Sequence, residues 1–363
     1  MEDREHGGNL REAGERLGIP ERGILDFSVN LNPFGLIPKV KRIVKASVGR
    51  AAFYPDPEYK KLRQALSVYY RAPEDNLLCG NGSTQLIYLL PQSLELKSAL
   101  IVEPNFSEYE RSLVAAGCAI THLAGIEKNN FKVSIKELTD NVRGHDIVYL
   151  SNPNNPVGYV YHRQELMNLI EYCADNGCSV FIDEAFIDFK KDAAAFSLSG
   201  LADQFENLIV LRSLTKIVAV PGLRIGTLIA HRNRVKRIKA CLPPWSVNST
   251  AAAVGESVEE FLGHIHTTQD FIRKERAYLK KELSKIHGIA VQASEANYLL
   301  GKITTGEKVG RLEAALGQRR VFIRNCANYR GLSEAHFRVA VKRRSENKKL
   351  IRLLRAFFAK ENR

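Results

Sequence analysis

Cys178-Ser179-Val180-Phe181-Ile182-Asp183-Glu184-Ala185-Phe186 begins as a largely apolar, β-branched run and then turns abruptly acidic. A run without polar alternation is what a strand buried on both faces of a parallel sheet requires. Asp183 falls at its carboxyl end, and open α/β sheets bind ligands outside the carboxyl ends of their strands. His145-Asp146-Ile147-Val148-Tyr149-Leu150 reads as a second such strand. It runs into Ser151-Asn152-Pro153-Asn154-Asn155-Pro156-Val157-Gly158, where prolines and a glycine fix an irregular turn. Side-chain amides, Asn155 among them, can point inward from such a turn. Apolar runs alternating with amphipathic stretches over the whole chain indicate an α/β protein.

Two further stretches carry chemistry. Leu77-Leu78-Cys79 leads through Gly80-Asn81-Gly82-Ser83-Thr84 into the helical pattern Gln85-Leu86-Ile87-Tyr88-Leu89-Leu90. Glycines before a helix start let backbone N–H groups approach an anion, and Ser83 and Thr84 add hydroxyls. The run lacks the lysine of a phosphate-binding loop and the glycine spacing of a dinucleotide site, which argues against nucleotides. In Arg212-Ser213-Leu214-Thr215-Lys216 an amine stands beside two hydroxyls, and Arg224 follows eight residues later. A lysine, hydroxyls and a guanidinium together can hold an aldehyde covalently and its phosphate electrostatically. Pyridoxal 5′-phosphate needs both, along with an acidic partner for its ring nitrogen.

These four motifs, in this order, resemble the aspartate aminotransferase superfamily, the fold-type I pyridoxal-phosphate enzymes. The resemblance spans nearly the whole chain. It implies a large domain with a mostly parallel central sheet flanked by helices, plus a smaller α+β C-terminal domain. By position it implies Lys216 as the amine that carries the cofactor and Asp183 as partner of the ring nitrogen. Asn155 would donate to the ring hydroxyl, and Ser83, Thr84, Ser213, Thr215 and Arg224 would surround the cofactor phosphate. Phe106, in Pro104-Asn105-Phe106-Ser107-Glu108-Tyr109, matches an aromatic that stacks on the ring; Tyr109 is the other candidate. Tyr54 matches a tyrosine that reaches the phosphate of the neighbouring subunit, which implies a homodimer with shared sites.

Two branches of the superfamily are similar to this chain: the histidinol-phosphate aminotransferases and the threonine-phosphate decarboxylases of cobalamin synthesis. His6-Gly7-Gly8-Asn9, Leu25-Asp26-Phe27-Ser28-Val29-Asn30-Leu31-Asn32-Pro33 and Pro244-Trp245-Ser246-Val247-Asn248 resemble the decarboxylase branch. So do Ile323-Arg324-Asn325-Cys326-Ala327-Asn328-Tyr329 and Asp183 to Phe189, in which Phe186 replaces the tyrosine usual in the aminotransferases. The resemblance implies an amino-acid phosphate as substrate, with Arg338 on its carboxylate and His6, Asn30, Asn155 and Arg324 in contact with it. Such a substrate carries two anionic groups, for which arginine forks are suited. Serine phosphate differs from threonine phosphate by one methyl and is the rival substrate within that branch.

The 363 residues exceed one typical domain. An N-terminal segment is expected over 1–45, a cofactor-binding domain over 46–245 and a small domain over 246–363. The stretch from Ser249 to Ile286 reads as one long helix, and Glu346 to Lys360 as the last. The net charge of +13 comes from scattered lysines and arginines with no nucleic-acid motif beside them. It favours anionic small molecules over DNA or RNA. The six cysteines show neither Cys-x-x-Cys nor a metal-ligand spacing, so no metal and reduced thiols are expected. No stretch reaches transmembrane length and the first residues are charged, so a cytoplasmic, membrane-free protein is expected.

Overall fold

The computed structural model describes residues 7–361. Its strands are β1 (Leu25–Asp26), β2 (Leu77–Asn81), β3 (Ser98–Glu103), β4 (Ala119–Ala124), β5 (Ile147–Ser151), β6 (Ser179–Asp183), β7 (Leu208–Arg212), β8 (Ile225–Ala230), β9 (Ile289–Val291), β10 (Tyr298–Ile303), β11 (Val321–Phe322), β12 (Arg324–Asn325) and β13 (His336–Ala340). Seven of them form one sheet in the order β2-β8-β7-β6-β5-β3-β4, with β8 antiparallel to both neighbours and the rest parallel. β5, β6, β7 and β8 are buried along their whole length. Successive side chains feed opposite cores. Val180, Ile182, Leu208 and Val210 pack into one cluster with Leu62, Leu66, Leu166 and Ile170 of the covering helices. Phe181, Ile209 and Leu211 pack into the other with Leu86, Leu90 and Leu113. Each such side chain contributes about 1.5–3 kcal/mol on full burial, so both faces demand apolar residues.

A second, antiparallel sheet has the order β12-β13-β10-β9, and β1 pairs in parallel with β11 beside it. Chain from near the N-terminus therefore joins the C-terminal part of the molecule. This is the large parallel sheet and smaller α+β unit expected from the sequence. One element differs from expectation. The stretch from Ser249 is not a single helix: Ser249–Glu256 ends, a 3-10 turn spans Val258–Phe261, and Leu262–Leu283 follows. The Ser257 hydroxyl donates back to the Ala253 carbonyl at 3.1 Å, a local bond that competes with helix continuation. The last helix runs Arg344–Glu361. Among the described residues, no helix is long and apolar enough to cross a membrane.

Candidate active site

All the large-sheet candidates converge on one edge. β5, β6 and β7 are parallel and end at Ser151, Asp183 and Arg212, so the turn to Asn155, the carboxylate of Asp183 and the turn to Lys216 emerge side by side. β8 runs the opposite way and starts at this edge, which brings in Arg224 immediately before it. β2 ends here as well and passes directly into the helix Gly82–Ser93.

That helix start is an anion cradle. Asn81 makes no side-chain cap, so the first N–H groups are left for another acceptor. Gly82 adopts φ +74°, and a Cβ there would lie 2.2 Å from a terminal nitrogen of Arg224. A Cβ at Gly226 would lie 2.3 Å from the Ser83 nitrogen. Glycine at both positions lets the guanidinium and strand β8 close on the helix end. Ser83 and Thr84 are half-buried in the first turn. A dianionic phosphate matches this set of donors.

Lys216 lies on a one-turn helix, Leu214–Ile217, and is half-buried. Burial, and then the charge of Arg224, push its amine down to about 8; Asp183 opposes the shift and Arg338 adds to it. Three charged groups of the site thus act on the Lys216 amine. An amine with this pKa is partly neutral near pH 7 and so is a competent nucleophile. The buried Thr215 hydroxyl donates to the Ile225 carbonyl at 2.9 Å, anchoring the lysine turn on β8. Ser213 is buried at the start of the turn.

Asp183 accepts from the Tyr109 hydroxyl at 2.7 Å and from the Ala185 N–H at 2.8 Å. Burial raises its pKa, while these two donors and Lys216 oppose the rise and favour the ionised form. Tyr109 is therefore committed below the site, fully buried against Tyr149 and Phe181. Phe106 is half-buried and edge-on to Tyr109 at 5.8 Å. The role of Tyr109 escaped sequence reading: it is one helical turn beyond Phe106, but its partner is 74 residues away.

The small sheet supplies the facing wall. Arg324 on β12 and Arg338 on β13 are direct register partners, which puts both guanidiniums on one face. Both are buried. Arg338 donates to the Asn155 side-chain oxygen and, at 3.1 Å, to the Ser28 carbonyl. With its amide oxygen turned inward, Asn30 accepts from Arg338 at 3.2–3.3 Å. Arg324 donates to Asn328 at 2.8 Å and lies 5.4 Å from the Tyr329 ring centre. Phe186 is buried edge-on to Tyr298 and lies 6.0 Å from the Lys216 amine.

Among the described candidates, Tyr54 stands apart from this cluster. Tyr54 is 80% exposed and stacks at 4.6 Å on Trp245, without a hydrogen bond among the described residues. His6 lies outside the described residues; Gly8, two positions later, donates to the Ser28 hydroxyl at 3.1 Å.

Known proteins share this architecture. The family model for aminotransferase class I and II matches residues 22–355. A threonine-phosphate decarboxylase of Salmonella typhimurium is 36% identical over 351 residues, covering 96% of this chain and 95% of its own. The solved histidinol-phosphate aminotransferase of Clostridium acetobutylicum superposes with a TM-score of 0.86 at 27% identity, over 93% of this chain and all of that one. The L-threonine-O-3-phosphate decarboxylase of Porphyromonas gingivalis has the same fold, with a TM-score of 0.82 at 22% identity over 92% and 99% of the two chains. This chain belongs to the aminotransferase class I and II family.

Proposed function

We propose that the chain is a pyridoxal-phosphate-dependent decarboxylase that converts L-threonine O-3-phosphate to (R)-1-amino-2-propanol O-2-phosphate for cobalamin synthesis. The observation that carries it is the meeting of a low-pKa lysine and a buried carboxylate with two guanidiniums paired across β12 and β13. The first pair suits an aldehyde cofactor with a basic ring nitrogen; the second suits a substrate with two anionic groups.

Bound at this edge, the cofactor supplies a carbonyl for the substrate amine and a ring that takes up an electron pair. The chain's residues do the rest. Ser83, Ser213, Arg224 and the N–H groups of the helix start hold the phosphate. Asp183, kept ionised by Tyr109 and Ala185, holds a proton on the ring nitrogen. Phe106 covers the ring, and Asn155 serves both the ring hydroxyl and Arg338. Arg338 and Arg324, with Asn30 and His6, bind the substrate's anionic groups. The orientation they impose on Cα decides whether its bond to the carboxylate or to hydrogen breaks. Once carbon dioxide has left, Cα needs a proton in its place, which the protonated Lys216 ammonium or a water would give, the lysine being left as the neutral amine.

Tyr54 serves the cofactor phosphate of a second copy in a homodimer. Its surroundings support this, since Tyr54 stacks on the exposed Trp245 beside the exposed Phe53, and grouped exposed apolar side chains mark interaction surfaces.

Histidinol-phosphate transamination is the second reading, favoured by the likeness to the Clostridium acetobutylicum enzyme. Phe186 in place of a phenol donor weighs against it. Carbon dioxide release from L-threonine phosphate by the pure, cofactor-loaded protein is the expected result. No release, with glutamate-dependent amino transfer to imidazole-acetol phosphate, would reverse the choice. Serine phosphate should also react, since one methyl typically discriminates by only about 1–3 kcal/mol.

A further inference from the structure

We propose that Asn32 is a positioning residue for Lys216, and that it couples the lysine turn to the segment that holds Arg338. The proposal rests on the reading of Lys216 as the cofactor-bearing amine.

A one-turn helix leaves its last carbonyls without intrahelical partners. In Leu214–Ile217 two of these carbonyls belong to Lys216 itself and to Ile217, and both are taken by one residue. The Asn32 backbone N–H donates to the Lys216 carbonyl at 3.1 Å. Its side-chain amide nitrogen donates to the Ile217 carbonyl at 2.7 Å. The amide orientation is fixed independently, because its oxygen accepts from the Phe34 N–H at 3.0 Å. The same nitrogen reaches the Thr268 hydroxyl at 2.9 Å and the His264 ring at 3.2 Å, tying the hub to the helix Leu262–Leu283. Asn32 is buried, so water does not replace these bonds when they are lost.

The Lys216 carbonyl belongs to the peptide unit that follows the lysine Cα, and the Ile217 carbonyl to the next one. Holding both fixes the backbone on the C-terminal side of the lysine and so steadies the direction of its amine. The residues just before Asn32 do a second job. Asn30 faces the Arg338 guanidinium and the Ser28 carbonyl accepts from it. In the segment 28–32, Asn32 thus touches the lysine turn while Ser28 and Asn30 touch the arginine expected to bind the substrate carboxylate. A shift of either wall is transmitted to the other through this short piece of backbone.

The test uses the full chain loaded with pyridoxal 5′-phosphate. Asn32→Ala and the near-isosteric Asn32→Asp, which keeps the acceptor for Phe34 but loses the donor, are compared with Thr268→Val. The last removes the Thr268 tie to the long helix and leaves both carbonyl bonds. Both Asn32 variants should lower kcat about 10- to 100-fold, the cost of misplacing a reacting group. They should leave KM within about 2-fold and move the pH midpoint of the bound cofactor's visible band by about half a unit or more. Thr268→Val should lower the melting temperature while leaving kcat and the midpoint in place. Equal changes in all three variants, or no change in the Asn32 variants, would overturn the proposal, and Asn32→Asp decides it should the alanine variant fail to fold. A wild-type protein that develops no visible band removes the parent reading, and this one with it; a normal wild-type band with unaltered Asn32 variants removes this one alone.

Discussion

The two walls of the site are built in different ways. The wall on the large sheet is made of residues at strand ends, aimed by main-chain geometry: Asp183 closes β6, Asn155 follows β5, and Arg224 precedes β8. The wall on the small sheet consists of two guanidiniums oriented by side chains and carbonyls from elsewhere. Arg338 leans on Asn155, 183 residues away, and on Ser28, 310 residues away. On the proposed function, the difference assigns separate tasks. The strand-end wall would hold the cofactor and make bond breaking at Cα feasible, and the assembled wall would recognise the anionic substrate and orient the bond that breaks.

If the division is correct, lesions in the two walls separate in their kinetics. The largest effect belongs to Lys216→Ala, which removes the amine that carries the cofactor and moves the proton; decarboxylation should fall on the order of 10,000-fold. Its melting temperature should hold or rise, because a buried cation is lost. Next is Arg338→Lys, which keeps the charge but not the fork. It should raise KM for threonine phosphate about 100-fold and leave the cofactor's visible band unmoved, a combination that no lesion of the first wall should reproduce.

A smaller effect is expected from Tyr109→Phe. Losing the hydrogen bond to Asp183 removes a contribution that lowers the carboxyl pKa against burial. The protonated form then persists to higher pH, so the acid limb of kcat/KM should move upward, with activity at neutral pH falling about 10-fold. Smallest is Phe186→Tyr, which supplies a phenol donor near the cofactor hydroxyl. Stabilising the ionised ring hydroxyl should lower the pH midpoint of the visible band by about one unit, the worth of one net hydrogen bond.

The same contrast governs what was legible in the chain. Strand-end residues follow from local pattern: an apolar run marks β6, and Asp183 is where the run stops. The glycine-rich helix start and the lysine turn are likewise contiguous in sequence. The bond from the Thr215 hydroxyl to the Ile225 carbonyl was not legible, because it forms only once β8 lies against the lysine turn. The sequence marks Tyr109 only as the second candidate after Phe106 for stacking; its hydrogen bond to Asp183, 74 residues away, depends on how the helix packs on the sheet. The pairing of Arg324 with Arg338 depends on strand register in a short antiparallel sheet, which no local signal fixes. The break after Glu256 turns on a single serine hydroxyl bonding backward. Strong local patterns were readable; contacts between distant segments needed the folded chain.

One measurement bears most directly on the whole account. Purified protein is given pyridoxal 5′-phosphate, reduced with borohydride, digested and analysed by mass spectrometry. The account predicts a pyridoxyl-phosphate adduct on the peptide that contains Lys216, formed increasingly fast as pH rises toward about 8, where the amine loses its proton. An unmodified Lys216 peptide, or label spread over surface lysines, would contradict it.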